Sequence, residues 1–293
     1  GDGTLIISAD NDYASGTTVS AGTLRVSGSG DLGTGSLTIG ASGTLDLRNT
    51  LAVASLEISG AGSGNRITNG DADGTTANLT VSGTSTLNGA VNTDGTQTYS
   101  GTTTLGSDVN LTGSTIALAA VTASGTEDLT ITGNLDLNGD VSRVVDLSVS
   151  GTSNIGAHVT TTGTQGYSGT TTLSGGDRIL QGSTITMAAV TGTGSHDLTV
   201  TGNLDLDGAV TNVVELDITG TSNLAANVTT TGTQNFQGTT TLSGGDRTLT
   251  ASTVTLNAVT GGSNALTITG NLDLDGAVSG VTNMSVSGTS NIG

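Results

Sequence analysis

Few residues in this chain have side chains able to do chemistry. The only two histidines of its 293 residues are His158, in Gly156-Ala157-His158-Val159, and His196, in Ser195-His196-Asp197. A nucleophile, a base and an orienting carboxylate must converge in space. Three consecutive residues of a strand or turn cannot form that relay, so Ser195-His196-Asp197 has its letters without its geometry. Carboxylates are the stronger candidates, because glycosidic-bond chemistry uses two of them, one held protonated. Asp205 and Asp207, and again Asp273 and Asp275, are next-but-one neighbours and so face the same way on an extended strand. The earlier copy of the phrase has Asp136 and Asn138, so the pair is incomplete there. These acids read as surface solubility, with calcium bridging between stacked acids and glycosidase chemistry as alternatives. No catalytic, cofactor-binding or metal residue is assigned, no cofactor beyond calcium is considered, and the chain is expected not to be an enzyme.

Two motif matches carry no chemistry. Gly28-Ser29-Gly30-Asp31-Leu32-Gly33 fits G-x-G-x-x-G, but dinucleotide binding requires a helix after it, and 48 glycines produce such matches by chance. Gly175-Gly176-Asp177-Arg178 and Gly244-Gly245-Asp246-Arg247 are similar to calcium-binding nonapeptide repeats, yet they do not recur in tandem as such repeats do, and the first copy reads Gly106-Ser107-Asp108. They are read as turns, with Asp and Arg forming a weak exposed pair.

Composition narrows the possibilities further. The chain has no Pro or Cys, three Tyr, one Phe and no Trp, so any core is thin. Acids outnumber bases by 24 to 6, the net charge is -18, and all six cations are Arg. Nucleic acid and anionic lipid both need clustered positive charge, so neither is an expected partner. Charged residues are only 10% of the chain, and Val, Leu and Ile alternate with Thr, Ser and Asn, the pattern of ordered strands rather than of coil. The absence of Cys suits an exported chain that threads through a pore unfolded. No apolar run approaches the roughly 18 residues of a membrane helix, so no membrane insertion is expected. The chain opens at Gly1 without Met, which reads as a mature or excised piece of something larger.

Internal repeats decide the fold. Blocks begin at Ser82-Gly83-Thr84-Ser85, Ser150-Gly151-Thr152-Ser153, Thr219-Gly220-Thr221-Ser222 and Ser287-Gly288-Thr289-Ser290, so the glycine of the phrase advances by 68, then 69, then 68. Gly95-Thr96-Gln97, Gly163-Thr164-Gln165 and Gly232-Thr233-Gln234 keep the step. So do Gly133-Asn134-Leu135-Asp136-Leu137, Gly202-Asn203-Leu204-Asp205-Leu206 and Gly270-Asn271-Leu272-Asp273-Leu274. Short alternating strands recur within each block roughly every 20 residues without a helical pattern between them, which predicts an all-β parallel β-helix solenoid. Each block supplies about three coils, and the chain on the order of 14. Asn154, Asn223 and Asn291 are expected on one edge. Tyr99, Tyr167 and Phe236 share a repeat position, and the ring is read as structural, with sugar stacking the alternative and Phe236 marking the hydroxyl as dispensable. The expected organisation is residues 1–80 as N-terminal coils and 81–293 as three blocks and the start of a fourth, in one continuous rod.

Residues 11–47 carry Tyr13-Ala14-Ser15-Gly16-Thr17-Thr18-Val19, Ala21-Gly22-Thr23-Leu24, Asp31-Leu32-Gly33-Thr34-Gly35 and Gly43-Thr44-Leu45-Asp46-Leu47. This stretch resembles the autotransporter-associated β-strand repeat of bacterial autotransporter passengers. The later blocks, with Thr-Gly-Thr-Gln, Gly-Thr-Thr-Thr-Leu and Gly-Asn-Leu-Asp-Leu, resemble filamentous-haemagglutinin-type exoproteins. The resemblance implies a right-handed β-helical stalk, secreted to the cell surface or beyond, that serves adhesion, aggregation or biofilm matrix. Its implied partners are other copies of the rod, or host and matrix glycans and proteins. The alternatives are a filament subunit adding head to tail through open terminal coils, and a polysaccharide-binding or polysaccharide-cleaving β-helix.

Overall fold

Alternating apolar and polar residues become strands whose burial alternates one residue at a time. In Leu129–Leu137 the side chains of Leu129, Ile131, Leu135 and Leu137 are buried, and Thr130 and Asp136 between them are not. A computed structural model describes residues 3–60, 65–69 and 74–293; Gly1 lies outside the described residues. Every regular element described is a strand, and none is a helix long and apolar enough to cross a membrane. The strands pair in parallel as a β-solenoid of about 15 turns at a spacing of ~19 residues. By contacts the chain divides into two units, Gly1–Gly151 and Thr152–Gly293.

In the first unit, Gly3-Thr4-Leu5, Gly22-Thr23-Leu24 and Gly43-Thr44-Leu45 stack on three consecutive turns. Thr4 pairs with Thr23 and Thr23 with Thr44, with the leucines beside them in the same register. The same register sets Arg25 against Asp46. One turn is longer than its neighbours, running from Leu51 to its register partner Leu79. Thereafter the turns are regular, and Leu79, Gln97, Ile116 and Leu135 stack each on the one before.

In the second unit one inward column runs Ser153, Thr171, Val190, Val210, Val228, Leu249, Ile268, Val286. Each step of that column is one turn of the solenoid. A turn has three inward pairs, for example Gln165 with Tyr167, Thr171 with Leu173, and Arg178 with Leu180, all buried. The cross-section is therefore three-sided.

The repeat block is not three such turns. Three turns at the observed spacing fall short of a block and four overshoot it, and the remainder is close to two of the three sides. Each copy therefore starts on a different side from the copy before. Asn154 stacks with Thr172 and Thr191, Asn223 with Asp205 and Thr241, and Asn291 with Asp273. These are three different columns, and the expectation of a single edge fails because the block is not a whole number of turns. For the same reason Tyr167 stacks on Met187, whereas Phe236 stacks between Ile218 and Leu256 on another side.

The corners explain the glycine at Gly202. Strand Arg178–Thr191 rounds a corner at Gly182, where its register with the next turn shifts between Gln181 and Thr184. Gly202 lies above that corner at φ +138°, and a Cβ on it would lie 1.9 Å from the Gly182 carbonyl oxygen. Only a residue without a side chain fits there.

Candidate functional site

Several of the chemistry-bearing side chains accept backbone amides of an adjacent turn. His158 is exposed, and its Nδ1 accepts a hydrogen bond of 3.1 Å from the Ile179 amide. One block later Asn227 does the same for Thr248 through Oδ1, at 2.9 Å. The imidazole thus stands where an amide side chain also serves. His196 lies in a turn between Ser195 and Asp197. The Asp197 carboxylate accepts the Glu215 amide at 3.0 Å, and the Asp197 amide donates to Asp177 at 3.0 Å.

The same device recurs along both units. Asp108 accepts the Asp128 amide and Asp128 the Asp146 amide, while Asp246 accepts the Ala265 amide. These carboxylates take strand-entry amides of the next turn, so their role is structural as well as solubilising. Asp205 and Asp273 are half-buried and accept Asn223 and Asn291 at 2.7 Å. Asp207 and Asp275 follow the ends of their strands in exposed turns. Among the described residues no three His, Cys, Asp or Glu side chains are grouped so as to hold a metal ion, so stacked acids offer calcium no such cage here.

The Gly-Gly-Asp-Arg turns correct one expectation. Arg178 is buried and donates to the Gly176 carbonyl at 3.1 Å. Arg247 donates to the carbonyls of Leu224, Ser243 and Asp246. Neither forms the expected exposed pair with Asp177 or Asp246. Arg178 holds an inward register position opposite Leu198, so its guanidinium folds back onto a turn carbonyl. In the first unit Asp46 does form ion pairs, taking Arg25 Nε at 2.7 Å and Arg48 Nε at 3.1 Å.

Two acidic arrangements escaped the sequence reading. Glu127 accepts the Ser124 and Thr126 hydroxyls and the amides of Ser124, Gly125 and Thr126. Those donors, the Ser124 hydroxyl first, hold its carboxyl down at about 2. Asp10 and Asp31 share a hydrogen bond that raises Asp10, while the amides of Gly33 and Asn11 lower Asp31. The two acids lie one turn apart along the chain, and that spacing is the signal that could have paired them. Asp31 borders an open depression of about 410 Å³ with Thr50, Thr80 and Ser82. Both carboxyls sit at the surface, without the apolar burial that tunes a catalytic acid.

The aromatic position is internal. Tyr99, Tyr167 and Phe236 are each at most 1% exposed, so their rings offer no platform for a sugar. Beside them Gln97, Gln165 and Gln234 are buried at the corner. Each Nε2 donates to a carbonyl of its own turn, to a Thr hydroxyl and to a carbonyl of the next turn. The Tyr99 and Tyr167 hydroxyls donate to the Gln97 and Gln165 Oε1 at 2.9 and 3.0 Å, and burial pushes both phenol pKa values up. The hydroxyl has a partner in two copies, which corrects its reading as dispensable.

One protein family matches the chain. The sequence model of the passenger-associated-transport-repeat matches residues 1–26, a span that includes strands Thr4–Ile7 and Thr17–Val26 and two of the stacked Gly-Thr-Leu phrases. This supports an autotransporter passenger repeat at the start of the chain. The matched span ends before the long repeat blocks begin. No curated protein and no solved structure matches the chain.

Proposed function

We propose that this chain is a non-catalytic stretch of an autotransporter passenger, exported to the bacterial surface or beyond, where it serves as a structural spacer in adhesion, aggregation or biofilm matrix. The observation that carries the reading is the passenger-repeat match on a first turn that continues, through stacked Gly-Thr-Leu phrases, into a parallel solenoid. The chemistry of the side chains agrees with it. His158 and the carboxylates of Asp108, Asp128, Asp197 and Asp246 accept backbone amides of adjacent turns, Asp205 and Asp273 accept asparagine side chains, the repeated rings are buried, and the acidic surface lacks the clustered cations that nucleic acid or anionic lipid would need.

Antibodies raised against residues 82–293 test it on intact cells of the source bacterium. Surface labelling, with loss of attachment or aggregation when the coding region is interrupted, is the expected result. Labelling only after lysis, or an interruption that leaves attachment and aggregation unchanged, overturns it. A head-to-tail filament, in which one chain would add to the next through its terminal coils, is the second reading. Sedimentation of the purified chain across a concentration series separates the two.

A further inference from the structure

Each block carries two core hydroxyls that no protein group engages. Ser85 and Thr103, Ser153 and Thr171, and Ser222 and Thr240 are each at most 2% exposed. None of the six side-chain oxygens has a hydrogen-bond partner. Within each pair the two residues are register neighbours on consecutive turns, with backbones about 4.8 Å apart. Two unengaged hydroxyls therefore adjoin each other inside the coil, three times in the chain.

The positions themselves do not demand a hydroxyl. Leu204 stacks before Ser222 and Val259 after Thr240. Leu56 stacks before Ser85 and Val121 after Thr103, and Val190 follows Thr171. Valine has the shape of threonine, and replacing unengaged hydroxyls by apolar groups of the same shape is neutral or favourable. A hydroxyl pair repeated in every copy thus points to a partner. In the second unit the Ser153 and Ser222 pairs stand in different columns, so the neighbours differ and the pair is what the copies share. At Ser85 and Ser222 serine also has two side-chain heavy atoms fewer than the leucine before it in the column, so the pair fills less of the core than its apolar neighbours. A buried water typically makes two to four hydrogen bonds to otherwise unsatisfied polar groups.

We propose that each Ser and Thr pair holds one internal water molecule, which bridges the two hydroxyls and so ties consecutive turns together once per block. The ligand is water because the oxygens present are neutral donors and acceptors, with no charge to select an ion.

Oxygen-17 magnetic relaxation dispersion of the full chain counts waters of long residence. The doubly substituted chains S85A/T103V, S153A/T171V and S222A/T240V are each expected to lose the dispersion amplitude of one such water while keeping the circular dichroism of the unsubstituted chain. Unchanged amplitude in folded variants overturns the proposal. Should the variants fail to fold, a high-resolution crystal structure of the unsubstituted chain decides. Density for a water between the two oxygens supports the site, and a direct contact between them at about 2.8 Å, with no water, overturns it.

Discussion

Phe236 leaves the Oε1 of Gln234 buried without a hydrogen-bond partner, at the position where Tyr99 and Tyr167 donate a hydroxyl to the equivalent glutamine. A buried acceptor deprived of its donor costs about 1–3 kcal/mol. Phe236→Tyr is expected to raise the stability of the chain by about 1 kcal/mol, and Tyr167→Phe to lower it by about as much. Urea denaturation followed by circular dichroism measures both. A loss of stability in Phe236→Tyr would show that its side of the coil has no room for the hydroxyl.

Gly202 is irreplaceable by the geometry of its corner. Alanine there would combine a left-handed φ with a contact at 1.9 Å to the Gly182 carbonyl oxygen. Backbone strain and overpacking each cost on the order of 1–3 kcal/mol, so Gly202→Ala is expected to destabilise by about 3 kcal/mol or more. Alanine at Gly166, where a Cβ meets nothing within 4 Å, is the control and should change stability far less.

Arg143, Asn212 and Gly280 occupy one turn position in three successive copies, with φ of +61°, +55° and +64°. A residue with a Cβ is disfavoured in this region by roughly 1–2 kcal/mol, Asn less than most. Glycine offsets part of any gain by its freedom in the unfolded chain. Arg143→Gly is therefore expected to stabilise by about 0.5–1 kcal/mol, and Asn212→Gly by less. Thermal unfolding of the two variants side by side gives the order.

Glu127 makes the turn around it sensitive to acid. Its carboxyl titrates at about 2 in the folded chain, against an ordinary value of 4.5. The stabilisation is complete above the ordinary value and is lost as pH falls through about 2. In a carboxyl titration by NMR, Glu127 is expected to show a midpoint near 2, with the Ser124, Gly125 and Thr126 amides shifting together with it. A midpoint near 4.5 would mean that the hydrogen bonds do not persist in solution.

Much of this protein was legible in its sequence, because strand and turn signals are local. Alternation of Val, Leu and Ile with Thr and Ser marked the strands, and the recurrence of Gly-Thr-Gln and Gly-Asn-Leu-Asp-Leu marked the blocks. The scarcity of rings indicated a thin core, and burial of Tyr99, Tyr167 and Phe236 agrees with their structural reading. The candidate residues were less legible. His158 and Asp197 look like catalytic letters, and only the amides of the adjacent turn show what they bind. Asp10 and Asp31 meet one turn apart, a relationship no local window contains.

The sequence by itself determined that this is a repetitive all-β chain and where each copy of the repeat begins. Only the tertiary structure decided which residues share a column. Stacking follows the length of one turn, and that length depends on how sharply the backbone bends at corners such as Gly182 and Gly202. The repeat block is no whole multiple of it. Hence Asn154, Asn223 and Asn291, matched along the chain by their place in the repeat, stand in three separate columns, because a column is set by the turn and not by the block.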